Sequence, residues 1–259
     1  MGIKKKQAVT AVILTKDEAE NIRRCLGSLN WCDDILIFDS SSDETVALAR
    51  KLVPDKNLRI FYAPESKDFA ALRNEALQLA KNNWILYLDA DEEISRQLYE
   101  EIKFAIKKTE TNGYYVSRKD FFLGKWLKYG ETGKIKLLKL GRKSSGRWER
   151  RVHEVWKING AIGTLKNPLL HYPHPTTLNF VSKINRWTSL DAQEFYAKGV
   201  RSSFIKIIMY PLAKFVYNFI VLRGFRDGYA GLVFSILMSL HSFLTRAKLY
   251  FINQKTAVV

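Results

Sequence analysis

Four short apolar runs, each separated from the next by an amphipathic stretch, constrain most strongly what the first hundred residues can become. The runs are Ala8–Leu14, Asp34–Phe38, Leu58–Tyr62 and Trp84–Leu88. Each is short and rich in β-branched or aromatic residues, the pattern of strands covered on both faces. Between them, Glu18–Leu29, Asp43–Leu52 and Phe69–Lys81 space their apolar residues as helices, and Ser95–Lys107 follows as a fourth. In the first of these, Ile22, Cys25, Leu26 and Leu29 share one face. Such a β-α-β-α-β-α-β alternation predicts an α/β fold whose sheet is mainly parallel, with helices on both faces. Ligands of such sheets gather beyond the carboxyl ends of the strands. Two of the runs end there in aspartate, Asp39 and Asp89.

The rhythm changes from residue 113. Gly113–Arg118 and Ile135–Leu140 read as strands of a mixed extension, separated by the Gly-rich stretch Gly124–Gly133. The proline-bearing stretch Leu165–His174 has no helix signal, and from Leu178 onward the chain reads as helical. The expected division is a catalytic domain over 1–175 and a helical, basic, amphipathic region over 176–259.

Composition narrows the class. With 47% hydrophobic residues the chain has ample material for a core, which excludes a disordered chain. Its only cysteines, Cys25 and Cys32, exclude a disulfide scaffold and a cysteine-based zinc site. The N-terminal apolar stretch is too short, and too soon followed by charge, for a signal peptide, so a reducing cytoplasm is expected. The net charge of +16 is uneven: residues 118–157 carry 13 Lys and Arg against 4 acids, and residues 176–259 carry 11 against 3. An anionic partner facing those two regions is expected. Trp126, Tyr129, Trp148 and Trp156 lie in the first of them. Aromatics among cations suit sugar and phosphate contacts, single-stranded nucleic acid, or simply a core beneath a solvated basic face.

The run Leu88-Asp89-Ala90-Asp91-Glu92-Glu93 carries the sharpest chemistry. Two carboxylates flanking a small residue directly after a strand offer hard oxygen ligands for Mg²⁺ or Mn²⁺ beside a diphosphate. Taken alone, the motif reads better as an acidic turn capping the next helix. Its setting adds Ala11-Val-Ile-Leu-Thr-Lys-Asp-Glu18 and Ile35-Leu-Ile-Phe-Asp39-Ser-Ser-Ser-Asp-Glu-Thr45. Further along stand Phe69-Ala-Ala-Leu-Arg-Asn-Glu-Ala-Leu77, Val152-His153-Glu154 and Pro168-Leu-Leu-His171-Tyr.

In that order these motifs resemble the family 2 glycosyltransferases, of GT-A fold, and among them the lipopolysaccharide-core β-glucosyltransferases. The resemblance runs from about Ala8 to Tyr250. It implies a nucleotide-sugar donor (a UDP-sugar first), a divalent metal, and inversion at the anomeric carbon. It places Thr15, Glu18 and Asp39 at the nucleoside, Arg73 at the donor phosphates, and Asp89 and Asp91 at the metal and diphosphate. His171 falls where such enzymes sometimes supply a third metal ligand. Asp17 stands where the family more often has Asn, and the Ser40–Ser42 loop lacks the usual Gly, departures that bear on nucleotide identity.

Inverting transfer needs a carboxylate to take the proton of the acceptor hydroxyl. Glu154 is the expected base and Glu131, in the Gly-rich loop, its rival. His153 is placed to orient Glu154 or to contact donor phosphate, and His241 reads as structural. The expected acceptor is a glycolipid or saccharide of the cell envelope. The alternative reading, a nucleic-acid-binding protein using the basic aromatic segment, is disfavoured because the first-domain acids would repel phosphate; no nucleic acid is expected.

Ser203–Leu222 reads as a kinked, amphipathic, basic helix suited to an anionic membrane surface. Gly228–Thr245 has no charge over 18 positions, the threshold of a membrane span. Its small residues, Gly228, Gly231, Ser235, Ser239 and Ser242, form one stripe that lets helices pack closely. A helical platform on the cytoplasmic face of a membrane, peripheral or monotopic, is therefore expected over a true span. A soluble helical contact, including a homo-oligomer through these helices, is the alternative.

Overall fold

The computed structural model describes residues 7–64, 68–150, 154–173 and 176–256. His153 and His174 lie outside the described residues. In chain order the elements are β1 (Gln7–Thr15), α1 (Ala19–Ser28), β2 (Cys32–Asp39), α2 (Thr45–Leu52), β3 (Leu58–Tyr62), α3 (Phe69–Leu79), β4 (Trp84–Asp89), β5 (Glu92–Glu93) and α4 (Arg96–Ala105). Then follow β6 (Thr111–Phe122), β7 (Lys125–Trp126), β8 (Lys136–Arg142), β9 (Gly146–Glu149), β10 (Val155–Ile158), β11 (Ala161–His171), α5 (Thr177–Ala197), α6 (Phe204–Val216) and α7 (Tyr229–Thr256). The chain forms two compact units, one of Met1–Arg118 with Lys136–His171, the other of Lys119–Ile135 with Tyr172–Val259.

The first unit is built on a sheet of order β3-β2-β1-β4-β8-β6-β11-β5. Strands β1 to β4 pair in parallel, as the alternation requires, and β8 joins β4 antiparallel to begin the mixed extension. Alternate strand residues face opposite layers. Val9, Ala11, Ile13, Ile35, Ile37, Leu86 and Leu88 pack beneath α1, α2 and α4. Val12, Leu36, Phe38, Ile85 and Tyr87 pack against α3 and the hairpin β9–β10. Helices thus cover both faces, and nearly every β1, β2 and β4 side chain is buried. Local signals set the helix starts. Asp68 caps α3 by accepting from the Ala71 N–H at 2.9 Å, and Ser95 caps α4 by accepting from the Leu98 N–H at 3.2 Å. Pro168 is accommodated in β11 because that strand is paired on its outer side only at Leu170 and His171.

At the amino ends of the strands, a fully buried Asp34 ties four segments together. Its carboxylate accepts from Thr10 Oγ1 at 2.7 Å, the Lys81 N–H at 3.0 Å and both Arg59 Nε and NH2, at 3.1 and 2.8 Å. These bonds join β1, β2, β3 and the turn before β4 at the end of the sheet away from Asp39 and Asp89.

The second unit is helical, apart from β7 and the end of β6 with which it pairs. Its core is Phe122, Leu127, Phe180, Ile184, Ala230 and Leu237. The small-residue stripe of α7 is a packing face. A Cβ on Gly231 would stand 1.9 Å from the Gly224 carbonyl, and Ser239 donates to the Pro211 carbonyl of α6 at 2.8 Å. The charge-free stretch Gly228–Thr245 is only part of α7, which runs 28 residues and past Arg246 and Lys248. Lys248 is accommodated by α5: its ammonium donates to the Asn185 carbonyl at 2.6 Å and to Thr188 and Ser189 hydroxyls at 2.8 Å.

Replacing Asp34 by alanine leaves the Arg59 guanidinium and two other donors without their acceptor. Such a change costs about 3 kcal/mol or more. A matching fall in the urea midpoint is expected.

Candidate active site

The carboxyl ends of β1, β2 and β4 lie side by side, Thr15 in register with Asp39 and Leu14 with Asp89. Asp39 is almost fully buried, at 6% exposure. Its carboxylate accepts from the Thr15 hydroxyl at 2.5 Å and from the Ser41 hydroxyl and N–H at 2.6 and 3.0 Å. Asp17, in the left-handed conformation with φ 52°, closes the same loop by accepting from the Ser42 N–H at 2.8 Å. Asp and Asn tolerate that conformation better than most residues. Glu18 opens α1, donates its N–H to Thr45 Oγ1 at 2.9 Å and accepts from Asn21 Nδ2 at 2.8 Å.

Asp89 ends β4 amid cations. Its Oδ2 accepts from Lys139 Nζ of β8 at 3.0 Å, and its Oδ1 lies 3.6 Å from Arg73 NH2 of α3. The same ammonium donates to Glu92 Oε2 at 2.6 Å, and that oxygen also accepts the Asp89 N–H at 2.9 Å. Lys139 and Glu92 are 7% and 1% exposed, while the Asp89 side chain is 43% exposed, so a buried ammonium–carboxylate pair carries a second carboxylate that is open to the surface. Desolvation pushes the Asp89 carboxyl up, but the Lys139 ammonium and Arg73 guanidinium outweigh it and hold the group well below the usual carboxylate range. Desolvation also works against the Lys139 charge, yet the two carboxylates keep its pKa above the ordinary lysine value. Burial raises Glu92, the more enclosed acid.

Arg73 joins this cluster to Glu154. Its NH1 donates to Glu154 Oε1. Its guanidinium lies 4.7 Å above the Trp148 ring. Trp148 in turn stacks on Trp156 with centroids 5.5 Å apart, and both rings meet Tyr87 edge-on. The Tyr87 hydroxyl donates to the Arg73 carbonyl at 2.7 Å, and burial pushes its pKa up, so it stays a neutral donor. Asn74 bonds the Trp148 backbone in both directions, at 2.8 and 2.9 Å. Arg73 is therefore held from four sides, while its Nε has no partner among the described residues. Glu154 has its second oxygen free of hydrogen bonds among the described residues.

Asp91 turns the other way. Its Oδ2 lies 3.4 Å from Nε2 of His171, at the end of β11. His171 is in register with Glu92, which brings it to the acidic turn. Among the described residues no three His, Cys, Asp or Glu side chains form a closed metal cluster. The hard-donor chemistry is that of an Asp91–His171 pair, with Asp89 held beside it by Lys139 and Arg73. Two donors suit a hexacoordinate cation that takes its remaining ligands from substrate phosphate and water.

The predicted residues thus divide. Thr15 and Asp39 meet, Asp89, Arg73 and Glu154 form a chain, and Asp91 meets His171. Glu131 belongs to the helical unit, where its Oε2 accepts from Lys214 Nζ at 2.5 Å. Trp148 and Trp156 are buried, at 8% and 3%, and serve as the bed of Arg73. Lys139, Glu92, Tyr87 and Asn74 were not singled out from the sequence. For Lys139 a signal exists: it interrupts the apolar run Leu137-Leu138-Lys139-Leu140 of a central strand.

A family model for glycosyl transferase family 2 matches residues 10–161. The chain belongs to that family: it is a glycosyltransferase of GT-A fold. Among its relatives, the lipopolysaccharide core biosynthesis glycosyltransferase LpsC of Rhizobium meliloti is 27% identical over 95% of this chain and 93% of its own length. The mannosyltransferase PcManGT of Pyrobaculum calidifontis, solved with GDP-Man and Mn²⁺, shares the fold at 13% identity and a TM-score of 0.55, over 94% of this chain and 87% of its own. TarS 1–349 of S. aureus, solved with UDP-GlcNAc, does so at 13% identity and a TM-score of 0.50, over 94% and 88%.

Lys139→Met removes the cation that two carboxylates share. Loss of one partner of a buried ion pair costs about 3–5 kcal/mol. Without the ammonium, a carboxyl of the cluster titrates above its unfolded pKa, so the native state binds the extra proton. The variant should therefore become less stable as pH rises from 5 to 8, which urea unfolding across that range checks.

Proposed function

We propose that this glycosyltransferase is inverting and metal-dependent, and transfers a sugar from a nucleotide-diphosphate sugar, a UDP-sugar, to a glycolipid or saccharide acceptor of the cell envelope. The observation that supports it is the chain Asp89–Arg73–Glu154 at the end of β4, with Asp91 and His171 on its flank. The name of the LpsC relative points to the lipopolysaccharide core as the acceptor class.

In this reading Thr15, Glu18 and Asp39 grip the nucleoside, and the Thr15 and Ser41 bonds keep the Asp39 carboxylate oriented. Asp91 and His171, with Asp89, would hold Mg²⁺ or Mn²⁺ against the diphosphate. A divalent cation, when bound, supplies charge stabilisation for the leaving diphosphate. Arg73, anchored by Trp148 and Tyr87, would direct its charge toward the donor phosphates through the NH2 side that faces Asp89. Glu154 takes the proton of the acceptor hydroxyl as its oxygen attacks the anomeric carbon. The bond from that carbon to the diphosphate oxygen breaks on the opposite face, and its electron pair leaves with the nucleotide. Glu131, paired with Lys214, remains the second carboxylate to test.

The helical unit would hold the enzyme at the cytoplasmic face of a membrane. Phe204–Val221 and Tyr229–Gln254 are long and apolar enough to cross a bilayer, yet only 6% of the first is buried against 28% of the second. Phe204, Ile205, Met209 and Leu212 of α6 are all more than half exposed, with Lys206 half-buried on the same helix and Arg223 exposed beyond its carboxyl end. An apolar face rimmed by cations suits an anionic lipid surface.

UDP-sugars with Mn²⁺ should raise the melting temperature of the wild type. Asp91→Asn should abolish the Mn²⁺-dependent part of that shift. Glu154→Gln should retain the shift and lose about a hundredfold or more in kcat. A Glu154→Gln enzyme of full activity, with Glu131→Gln inactive, would move the base to Glu131.

In flotation with vesicles containing phosphatidylglycerol, the chain should rise with the lipid. Ile205→Glu with Leu212→Glu should leave it in the soluble fraction with its nucleotide shift intact.

A further inference from the structure

The helical unit also contains an open cavity of about 580 Å³, lined by Lys119, Lys125, Lys128, Arg226, Trp126 and Tyr129. Four cations share one concave surface, and none of them makes an ion pair among the described residues. Three lie over aromatic rings instead: Lys119 over Trp126 at 5.4 Å, Lys125 over Tyr229 at 4.5 Å and Arg226 over Tyr129 at 4.9 Å. The one carboxylate of the lining, Asp227, is 9% exposed and already engaged. Its Oδ2 accepts the N–H groups of Lys128 and Tyr129 at 3.0 and 2.9 Å.

Those bonds make the cavity rigid. The loop that bears Lys128 and Tyr129 is fixed at two further points: the Gly130 N–H donates to the Leu222 carbonyl at 3.0 Å, and the Glu131 N–H donates to Oδ1 of the fully buried Asn218 at 3.0 Å. Gly130 takes the left-handed conformation there, with φ 70°. The cations are therefore gathered before any ligand arrives. Like charges so placed repel, and an anion relieves that repulsion. Preorganisation of this kind reduces what binding must spend on ordering. Lysine and arginine together suit phosphate, and the amphipathic rings of Trp126 and Tyr129 suit the apolar face of a sugar. The turn that carries Arg226 also exposes Phe225, at 49%, beside a head group that would continue into lipid.

We propose that this cavity binds a phosphorylated saccharide, the phosphate on the lysines and Arg226 and the sugar ring against Trp126 and Tyr129. That this ligand is the acceptor rests on the glycosyl-transfer reading; its chemistry does not. The test is calorimetric titration of the full chain with glucose 6-phosphate, inorganic phosphate and glucose, against the exposed double variant Lys128→Gln/Arg226→Gln. Glucose 6-phosphate should bind more tightly than either fragment, and the double variant should weaken it by about tenfold or more. Both proteins should show the same thermal shift with UDP-sugar and Mn²⁺ and nearly the same affinity for phosphatidylglycerol vesicles.

Glucose 6-phosphate bound no better than glucose, or equally well by the variant, overturns the proposal. So does a variant that loses vesicle affinity while keeping the sugar phosphate, since the cations would then serve the lipid surface. A chain that binds glucose 6-phosphate through these cations but is stabilised by no nucleotide sugar would sink the donor assignment and leave this site standing.

Discussion

The ammonium of Lys139, buried between Asp89 and Glu92, is the contact on which the active end of the sheet depends. The turn after β4 places four acidic side chains within five residues, Asp89, Asp91, Glu92 and Glu93. Carboxylates brought together below the surface repel and lose solvation, and would take up protons unless a cation answers them. That cation comes from β8, the first strand of the mixed extension and antiparallel to β4. The hairpin β9–β10 supplies Trp148 beneath Arg73, and β11 of the extension supplies His171 beside Asp91. The parallel half by itself brings only Arg73 of α3 near those acids, 3.6 Å from Asp89, and would leave Glu92 uncompensated. The antiparallel strands make those acids usable.

Two aspartates of β2 show how position within one strand decides a role. Asp34 and Asp39 bracket the same apolar run. Asp34 sits at the amino end, where Thr10, Arg59 and the Lys81 backbone consume both oxygens. Asp39 sits at the carboxyl end, where the Thr15 hydroxyl and the Ser41 hydroxyl and N–H fix its carboxylate at the edge of the sheet beyond which such sheets bind ligands. The first holds strands together; the second fixes the loop that follows β2.

The order of strands and helices was legible because burial imposes it locally. The predicted runs at Leu58–Tyr62 and Trp84–Leu88 match β3 and β4 to within one residue, and Ser95 caps α4 where an amphipathic stretch begins. Asp39 and Asp89 stood out for the same reason, as acids that end apolar runs. The partners of those acids were not legible. Lys139 is 50 residues from Asp89, and Glu154 is 81 from Arg73. Nothing in the neighbourhood of either residue announces the pairing. Glu131 and Glu154 looked alike in sequence, each an acid in a basic segment; one is paired with Lys214 of α6 and the other with Arg73 of α3. The tryptophans divided in the same way, Trp148 and Trp156 into the core and Trp126 onto the cavity of the helical unit.

What the sequence by itself determined is the alternation that makes a parallel sheet, the acids at its carboxyl edge, and the concentration of positive charge beyond residue 118. These follow from periodicity and composition, which act over a few neighbouring residues. Only the tertiary structure decided which cation neutralises which acid. It also decided which aromatics become core and which lysines converge on one cavity. Those outcomes depend on strand order and helix packing, because charge pairing and desolvation are set by distance through space rather than along the chain.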